Sequence, residues 1–299
     1  MFDTTPTLTL ANRSLALDQP RVMGIVNLTP DSFSDGGQLG DVEVAVAHAK
    51  RLWGEGADIL DLGAESSRPG AQSVSAEEEL ARLMPVLQRV LAECDVAVSV
   101  DTAKPEVMRA AIKAGAHLIN DIRALREPGA VEAIAESQVS ICLMHMQGEP
   151  RSMQDAPEYE DVVADVHRFL AERIFACEMS GIDKRRILID PGFGFGKTVE
   201  HNYQLLGRLA RFMDLKLPIL AGLSRKSMIG AVTGRNVGQR VPGSVAAALI
   251  AVQQGAAIVR VHDVAATVDA LKVWNAVKPH VPSVAVKPAA PKIAWPDED

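Results

Sequence analysis

Short apolar runs rich in β-branched residues recur eight times along the 299-residue chain, and each ends in polar residues before a segment with helical spacing begins. The runs and the polar residues that follow them are 22–26 before Asn27, 59–63 before Glu65, 96–100 before Asp101, 117–119 before Asn120, 140–144 before His145, 187–189 before Asp190, 219–222 before Ser224 and 257–259 before Arg260. Apolar runs that alternate with helical patterns predict βα units and a parallel sheet. Eight units predict an α/β fold closed into a (β/α)8 barrel of the TIM type, for which about 250 residues is typical.

The segments between and before these runs predict the remaining elements. Apolar residues at helical spacing predict helices over 42–53, 76–91, 105–114, 159–179, 199–212 and 265–277. Residues 7–17 alternate apolar and polar positions around Asn12 and Arg13, which predicts a short N-terminal β-hairpin that closes the bottom of the barrel. We expect one barrel domain over residues 1–280 and, over residues 281–299, a Pro/Ala-rich flexible tail with too few apolar residues to order itself.

Composition narrows the class of protein. Hydrophobic residues make up 47% and charged residues 23% of the chain, which is ordinary for a globular protein. The chain has neither an apolar stretch near the roughly 20 residues that span a bilayer nor a signal-peptide pattern at its start, so we expect a cytoplasmic protein. The net charge of −7 disfavours nucleic acid and acidic membranes as partners. Cys94, Cys142 and Cys177 are expected to be reduced, buried thiols, because they are odd in number and widely spaced.

Polar residues at the strand ends form a candidate site, because the chemistry of such barrels lies where the strands end. Asp101, Asn120 and Asp190 end the third, fourth and sixth predicted strands, and Lys226 follows the seventh. A carboxylate beside an amide can bind the donor and acceptor edge of a nitrogen heterocycle. The alternative is that these groups only satisfy one another, and this structural role is the one we expect for Asp121.

Three further segments carry candidate chemistry. The loop over 27–37 is long for a compact domain, which indicates either a lid or an idle surface loop. Arg68, just past the second strand, suits phosphate oxygens, although a solvated surface arginine is the alternative. The segment 190–198 ends in Gly-Lys-Thr, but its spacing is one residue too short for a phosphate-binding loop. We therefore predict a loop whose Phe195 covers a flat ligand, and we regard His145 as a hydrogen-bonded strand-end histidine.

Taken together, the strand ends resemble those of the dihydropteroate synthase family. The resemblance spans residues 22 to about 275 and lies in the segments 23–37, 65–71, 99–105, 119–121, 144–148, 190–197, 224–227 and 260–264. It implies a folate-pathway transferase that joins 4-aminobenzoate to 6-hydroxymethyl-7,8-dihydropterin diphosphate, giving 7,8-dihydropteroate and diphosphate through an SN1-like pterin methylene cation. It also implies Mg²⁺ as cofactor, sulfonamides as competitive inhibitors and a homodimer.

The resemblance assigns expected roles to individual residues. The pterin would be bound by Asp101, Asn120, Met144, Asp190, Gly222 and Lys226. The diphosphate would be bound by Asn27, Arg68, Arg260 and His262, with Asn27 also a ligand of Mg²⁺. The aminobenzoate pocket would be formed by Phe33, Ser67, Pro69, Phe195, Lys226 and Ser227. The catalytic residues would be Asp35, Asp101 and Lys226.

One residue departs from the family's usual pattern, and three other functions remain open. Ser67 stands where the family usually has Thr, and the lost methyl group, worth about 1 kcal/mol, leaves sulfonamide sensitivity open. A corrinoid-linked methyltransferase could share the pterin contacts but would not need the basic residues for diphosphate. A non-catalytic pterin-binding subunit would be indicated by loss of Arg68 or of the first-loop residues, which are present. A generic barrel aldolase or isomerase would lack the pterin set.

Overall fold

The computed structural model describes residues 6–29, 37–66, 73–148, 153 and 157–281. Two strands, β1 (Thr7–Leu10) and β2 (Arg13–Ala16), form an antiparallel hairpin. The next eight are β3 (Arg21–Asn27), β4 (Ile59–Gly63), β5 (Ala97–Asp101), β6 (Leu118–Asp121), β7 (Ser140–Met144), β8 (Ile187–Asp190), β9 (Ile219–Ala221) and β10 (Ala256–Val261). These eight are parallel and close into a barrel, with β10 paired to β3, which confirms the predicted fold.

Helices lie between the barrel strands and after the last one. They are α1 (Gly37–Gly54), α2 (Ala76–Glu93), α3 (Pro105–Ala114), α4 (Ala130–Ala135), α5 (Val162–Met179), α6 (Val199–Gly207), α7 (Ser227–Thr233), α8 (Val241–Gln253) and α9 (Val264–Val277). The single helix predicted over 199–212 is wrong in its second half, because α6 ends at Gly207 and a 3-10 helix follows over Leu209–Leu215. Glycine is a weak helix former, which favours the break at this point.

Side-chain alternation along the strands produces two apolar layers. Outward residues such as Val26 and Leu62 pack beneath the surrounding helices. Inward residues at the start of each strand fill the barrel's lower interior, namely Met23, Ile59, Ala97, Leu118, Cys142, Leu188, Leu220 and Ile258. Leu8 and Leu10 of the hairpin, each 1% exposed, pack against this inner layer. The hairpin therefore covers the bottom of the barrel, as predicted.

The hairpin turn differs from the prediction by one residue. Ala11 and Asn12 form the turn, and Arg13 already belongs to β2. Ala11 takes the left-handed conformation with φ of 51°. Asn often adopts this left-handed conformation and Ala rarely does. The sequence therefore predicted the turn at Asn12 and Arg13 and not at Ala11 and Asn12.

Two features of composition have structural counterparts. Cys94, Cys142 and Cys177 are buried and free, which confirms their predicted state. Among the helices in the described part of the chain, none combines the length and the apolar character that a membrane crossing requires. The tail predicted over 281–299 lies outside the described residues except for Val281.

Candidate active site

A polar layer lies directly above the apolar inner layer, at the carboxyl ends of the strands. Successive side chains of a strand point to opposite faces, so a residue two positions after an inward residue is again inward. Moving two positions along from the lower layer reaches Asp61, Ser99, Asn120, Met144, Asp190, Gly222 and Arg260. Asp101, four positions after the inward Ala97, lies one step higher. The pattern that builds the apolar core therefore also brings the predicted strand-end residues to one mouth.

Arg260 joins two carboxylates across the barrel mouth. Its Nε donates to Asp61 Oδ2 at 2.6 Å, and its Nη2 donates to Asp101 Oδ2 at 2.8 Å. The Asp61 side chain is fully buried, while those of Asp101 and Arg260 keep 15% and 21% of their exposure. Charge-assisted hydrogen bonds of this kind are roughly twice as strong as neutral ones. The pair of bonds fixes the three side chains relative to one another.

Burial and charge shift the pKa values of this group in opposite directions. Burial, with a smaller contribution from Asp61 and against the opposing charge of Arg260, raises the pKa of Asp101 to about 7. For Arg260, burial opposes the charge, but Asp61 and Asp101 more than compensate and raise the pKa of the guanidinium. The mouth thus holds a permanent cation beside a carboxylate that titrates near neutrality.

Asn120 is oriented by the same buried carboxylate. Its Nδ2 donates to Asp61 Oδ2 at 3.2 Å, and Asn120 is only 4% exposed. Because the amide nitrogen is engaged below, its oxygen is the group left to accept from a ligand in the mouth. Asp61 therefore determines which end of the Asn120 amide a ligand meets.

Asp190, Gly222 and Lys226 form the opposite side of the mouth. A Cβ added at Gly222 would lie 3.9 Å from Asp190 Oδ2 and 4.0 Å from Lys226 Nζ, so a side chain there would fill the space between the two charges. Burial raises the pKa of Asp190, with Lys226 opposing. Burial lowers the pKa of Lys226 to about 8, with Asp190 opposing. A lysine with this pKa loses its charge at mildly alkaline pH.

The loop after β8 supplies an aromatic wall beside Lys226. The Lys226 amine lies 4.8 Å from the centre of the Phe195 ring and donates to the backbone oxygen of Phe193. Phe195 also packs against Met144 and Met146. Ser227, the first residue of α7, is exposed next to Lys226. These contacts place the predicted aminobenzoate residues of this side next to the pterin set.

Asn27 and His262 lie together in a cleft at the side of the mouth. The cleft has a volume of about 600 Å³, and Arg225 lines it with them. The His262 backbone N–H donates to Ser224 Oγ at 3.2 Å, and the ring nitrogen Nδ1 lies 3.0 Å from the same oxygen. Arg225 is held by Asp263 through its Nε at 2.9 Å. Arg260, which belongs to the same predicted diphosphate set, is instead bound to the two mouth carboxylates.

Five of the predicted residues lie outside the described residues: Phe33, Asp35, Ser67, Arg68 and Pro69. Two others have the structural roles expected for them. Asp121 accepts from the backbone N–H groups of Arg123 and Leu125, both at 2.7 Å. The ring nitrogen Nδ1 of His145 lies at hydrogen-bond distance, 2.9 Å, from Nζ of the buried Lys197.

Sequence reasoning missed Asp61. It lies inside an apolar run, and only its position two residues after the inward Ile59 could have revealed it. The same alternation identifies Ser99, which is fully buried and has no hydrogen-bond partner among the described residues. Inward polar residues within a strand were thus as informative as the strand ends.

Comparison with known proteins agrees with this geometry. The family described as pterin binding enzyme matches residues 23–262. The dihydropteroate synthase of Escherichia coli strain K12 is 55% identical over 263 residues, which are 88% of this chain and 93% of that protein. The chain belongs to the dihydropteroate synthase family. The resemblance stated from the strand ends is therefore confirmed.

Solved structures of this family share the fold over nearly the whole chain. The Xanthomonas albilineans dihydropteroate synthase with 4-aminobenzoic acid has a TM-score of 0.88 and 62% identity, covering 93% of this chain and 100% of that chain. A structure of the Xanthomonas enzyme with 7,8-dihydropteroate has a TM-score of 0.82, 57% identity and the same coverage. The Yersinia pestis enzyme in a sulfonamide drug complex has a TM-score of 0.87 and 50% identity, covering 91% of this chain and 99% of that chain.

Proposed function

We propose that the barrel mouth joins 4-aminobenzoate to 6-hydroxymethyl-7,8-dihydropterin diphosphate and releases diphosphate. The observation that carries this proposal is the set of Asp101, Asn120, Asp190 and Lys226 around one mouth, two of them buried and two half-buried, in a chain of the dihydropteroate synthase family. The related enzymes with bound 4-aminobenzoic acid and 7,8-dihydropteroate support the same substrate and product for this chain.

The pterin ring would lie among the buried mouth residues. The Asp190 carboxylate accepts from ring N–H and amino groups, and the oriented Asn120 amide offers an oxygen acceptor. Lys226 donates to a ring oxygen or nitrogen. Gly222 leaves room between Asp190 and Lys226, and Met144 forms an apolar wall. Together these groups match a flat, polar heterocycle with donors on one edge.

The diphosphate would lie on the side of Asn27 and His262, together with Arg68. Arg260 would serve both halves of the substrate, since its guanidinium could exchange a carboxylate for a phosphate oxygen. Each offers two oxygens that the planar guanidinium can bind together. This assignment predicts that Arg260 is coupled to the pterin site as well as to the leaving group.

A magnesium ion would enter with the diphosphate. Within the described ranges, no cluster of three or more His, Cys, Asp or Glu residues forms a ready metal site. Mg²⁺ commonly uses one or two protein oxygens and completes its shell with phosphates and water. The Asn27 amide oxygen fits such a minimal site. When bound, the ion would neutralise charge that develops on the diphosphate.

The 4-aminobenzoate would lie between the Phe195 ring and Lys226, near Ser227. Phe33, Ser67 and Pro69 would complete this pocket from the two preceding loops. An aryl amine is already nucleophilic, so the pocket's task is to hold its nitrogen at the pterin methylene carbon. Sulfonamides would compete for the same pocket, as the sulfonamide complex of the Yersinia relative supports.

The chemical step would begin with cleavage of the bond between the pterin methylene carbon and the diphosphate oxygen. The electron pair leaves with the oxygen, where Arg68, Arg260 and His262 would stabilise the charge. Asp101 and Asp35 would stabilise the methylene cation electrostatically. The aminobenzoate nitrogen then forms the new bond and loses one proton, so no covalent enzyme intermediate is needed.

We also propose a homodimer and a cytoplasmic location. The outward face of α8 is apolar, with Pro242, Ala246 and Ile250 exposed along it, and such a face suits burial against a second copy. Sedimentation of the purified protein would test the dimer: a monomer at micromolar concentration would contradict it.

The experiment that tests the function is a coupled assay of diphosphate release by purified protein with Mg²⁺ and both substrates. We expect release that depends on 4-aminobenzoate and is inhibited by a sulfonamide. Folded protein that releases no diphosphate would contradict the proposal.

A further inference from the structure

The lysine of the Gly-Lys-Thr segment is an internal group. Lys197 is 2% exposed, although lysine is among the residues that are almost never fully buried without partners. Its Nζ lies 2.9 Å from His145 Nδ1, 2.9 Å from the Gly192 backbone oxygen and 3.0 Å from the Phe195 backbone oxygen. Burial lowers the pKa of Lys197, and in its ammonium form the group has three N–H bonds, each with an acceptor here. Nothing in this arrangement leaves the group free to bind a phosphate.

His145 completes the set of acceptors. Burial and the charge of Lys197 together lower the pKa of His145 to about 2, so the ring is neutral and keeps one acceptor nitrogen. The ring packs edge-on against Phe169, with centroids 4.9 Å apart. Its backbone N–H donates to the Asp190 backbone oxygen at 2.9 Å. His145 is thus a rigid support for Lys197 at the end of β7.

The loop that Lys197 binds lies unusually close to the chain after β7. A Cβ added at Gly192 would lie 1.9 Å from the His145 backbone oxygen, and one at Gly196 would lie 2.3 Å from the Gln147 oxygen. Both glycines also have positive φ, 71° and 60°. The Tyr159 hydroxyl donates to the Gly196 oxygen at 2.7 Å. Three backbone oxygens of one short loop, at Gly192, Phe195 and Gly196, are therefore held by the buried Lys197 and the half-buried Tyr159.

The held loop carries the groups that face the mouth. The Phe195 ring lies beside the Lys226 amine, and the Phe193 backbone oxygen accepts from that amine. A shift of the Phe195 backbone would move the ring and change the direction of the amine together. Lys197 is connected to these groups through this one loop, with no helix or strand in between.

We propose that Lys197, supported by His145, is a positioning residue that sets the aminobenzoate side of the site through the backbone of Gly192 and Phe195. The inference rests on the proposed function, because it concerns the pocket for the second substrate. Lys197 touches neither substrate. Its loss would widen or displace the aryl pocket while leaving the pterin residues Asp101 and Asn120, on the far side of the mouth, in place.

The test compares Lys197→Met with the wild type and with Lys272→Met. Met keeps an unbranched side chain and removes the amine with its donors, and Lys272 is a control lysine whose side chain is 73% exposed on α9. For Lys197→Met we expect the KM for 4-aminobenzoate to rise about tenfold or more, because two buried carbonyl oxygens lose a donor. We expect the KM for the pterin diphosphate to rise by a smaller factor, because Asp101 and Asn120 keep their contacts while Lys226 serves both pockets. The control should match the wild type in both.

Tyr159→Phe provides a milder second variant of the same loop. It removes one hydrogen bond to Gly196 without an unpaired buried charge, and it should raise the KM for 4-aminobenzoate by a smaller factor in the same direction. If Lys197→Met does not fold, Tyr159→Phe provides the test, and an unchanged KM for 4-aminobenzoate in that variant overturns the proposal. An equal rise in both KM values for folded Lys197→Met also overturns it, since that pattern indicates general damage. A wild type without dihydropteroate formation would instead refute the proposed function.

Discussion

Replacement of Asp61 by Asn is the most informative single change, because Asp61 contacts no predicted ligand yet joins two mouth residues. Its Oδ2 accepts from Arg260 at 2.6 Å and from Asn120 at 3.2 Å, while its Oδ1 has no partner among the described residues. Asp61→Asn keeps the shape and removes the charge. The new amide nitrogen would face the donors of Arg260 or Asn120.

The expected cost follows from these two bonds. A hydrogen bond to a charged group is worth about 1.5–3 kcal/mol, and a neutral one about 1 kcal/mol. If most of this loss falls on the transition state, kcat/KM decreases by about 10²- to 10³-fold, since 1.36 kcal/mol corresponds to about tenfold. Folding should persist, because Arg260 keeps its bond to Asp101 at 2.8 Å.

The pH dependence of kcat/KM in Asp61→Asn should shift in a defined direction. Asp61 helps to raise the pKa of Asp101 to about 7, so its neutralisation should lower that pKa. The acidic decline of kcat/KM should then move to lower pH in Asp61→Asn.

The assay is diphosphate release across pH, with Asp58→Asn as the matched control. Asp58 precedes the same strand at its other end, where it accepts from the Val22 N–H at 2.8 Å, and its loss should affect stability but not turnover. A kcat/KM of Asp61→Asn within about threefold of the wild type would refute the reasoning, since that corresponds to less than about 1 kcal/mol. An acidic decline of kcat/KM at the same pH as in the wild type would also refute it.

Three further predictions follow from the same contacts. In the wild type, kcat/KM for the pterin diphosphate should fall below pH about 7 as Asp101 is protonated and above pH about 8 as Lys226 is deprotonated; a profile flat from pH 6 to 9 would contradict this. Arg260→Ala should move the acidic decline to higher pH, opposite to Asp61→Asn, because Arg260 lowers the pKa of Asp101; an unchanged decline or a shift to lower pH would contradict this. Leu8→Ala should reduce the free energy of unfolding by about 2–5 kcal/mol in urea denaturation without changing KM, since Leu8 is buried at the far end of the barrel; a loss under about 1 kcal/mol would mean that the hairpin is not part of the core.

The strands could be predicted because their signal is local. Each barrel strand is a short apolar run, and a strand buried on both faces needs little more information than its own residues. The helix α8 was not predicted because it is apolar on nearly every side, including Ala246 and Ile250, and so lacks the polar stripe that marks an amphipathic helix. The apolar outward face of such a surface helix is explained only by a partner that would cover it.

The site was predicted in its members but not in its internal contacts. Asp101 and Asp190 could be identified because they end strands, whereas the bond from Arg260 to Asp61 joins residues 199 positions apart. Spacing excluded a phosphate loop around Lys197, but burial of that lysine against three acceptors depends on two loops meeting. Long-range pairing of this kind is fixed by closure of the barrel, which a single segment does not encode.

The central claim is that this mouth breaks the bond between the pterin methylene carbon and its diphosphate oxygen and replaces it with a bond to the aminobenzoate nitrogen. The most direct measurement uses pterin diphosphate labelled with ¹⁸O at the bridging oxygen, with mass analysis of both products after turnover with Mg²⁺ and 4-aminobenzoate. The account predicts 7,8-dihydropteroate and diphosphate in equal amounts, with all of the label in the diphosphate. Label retained by a pterin product, or no dihydropteroate from folded protein, would contradict it.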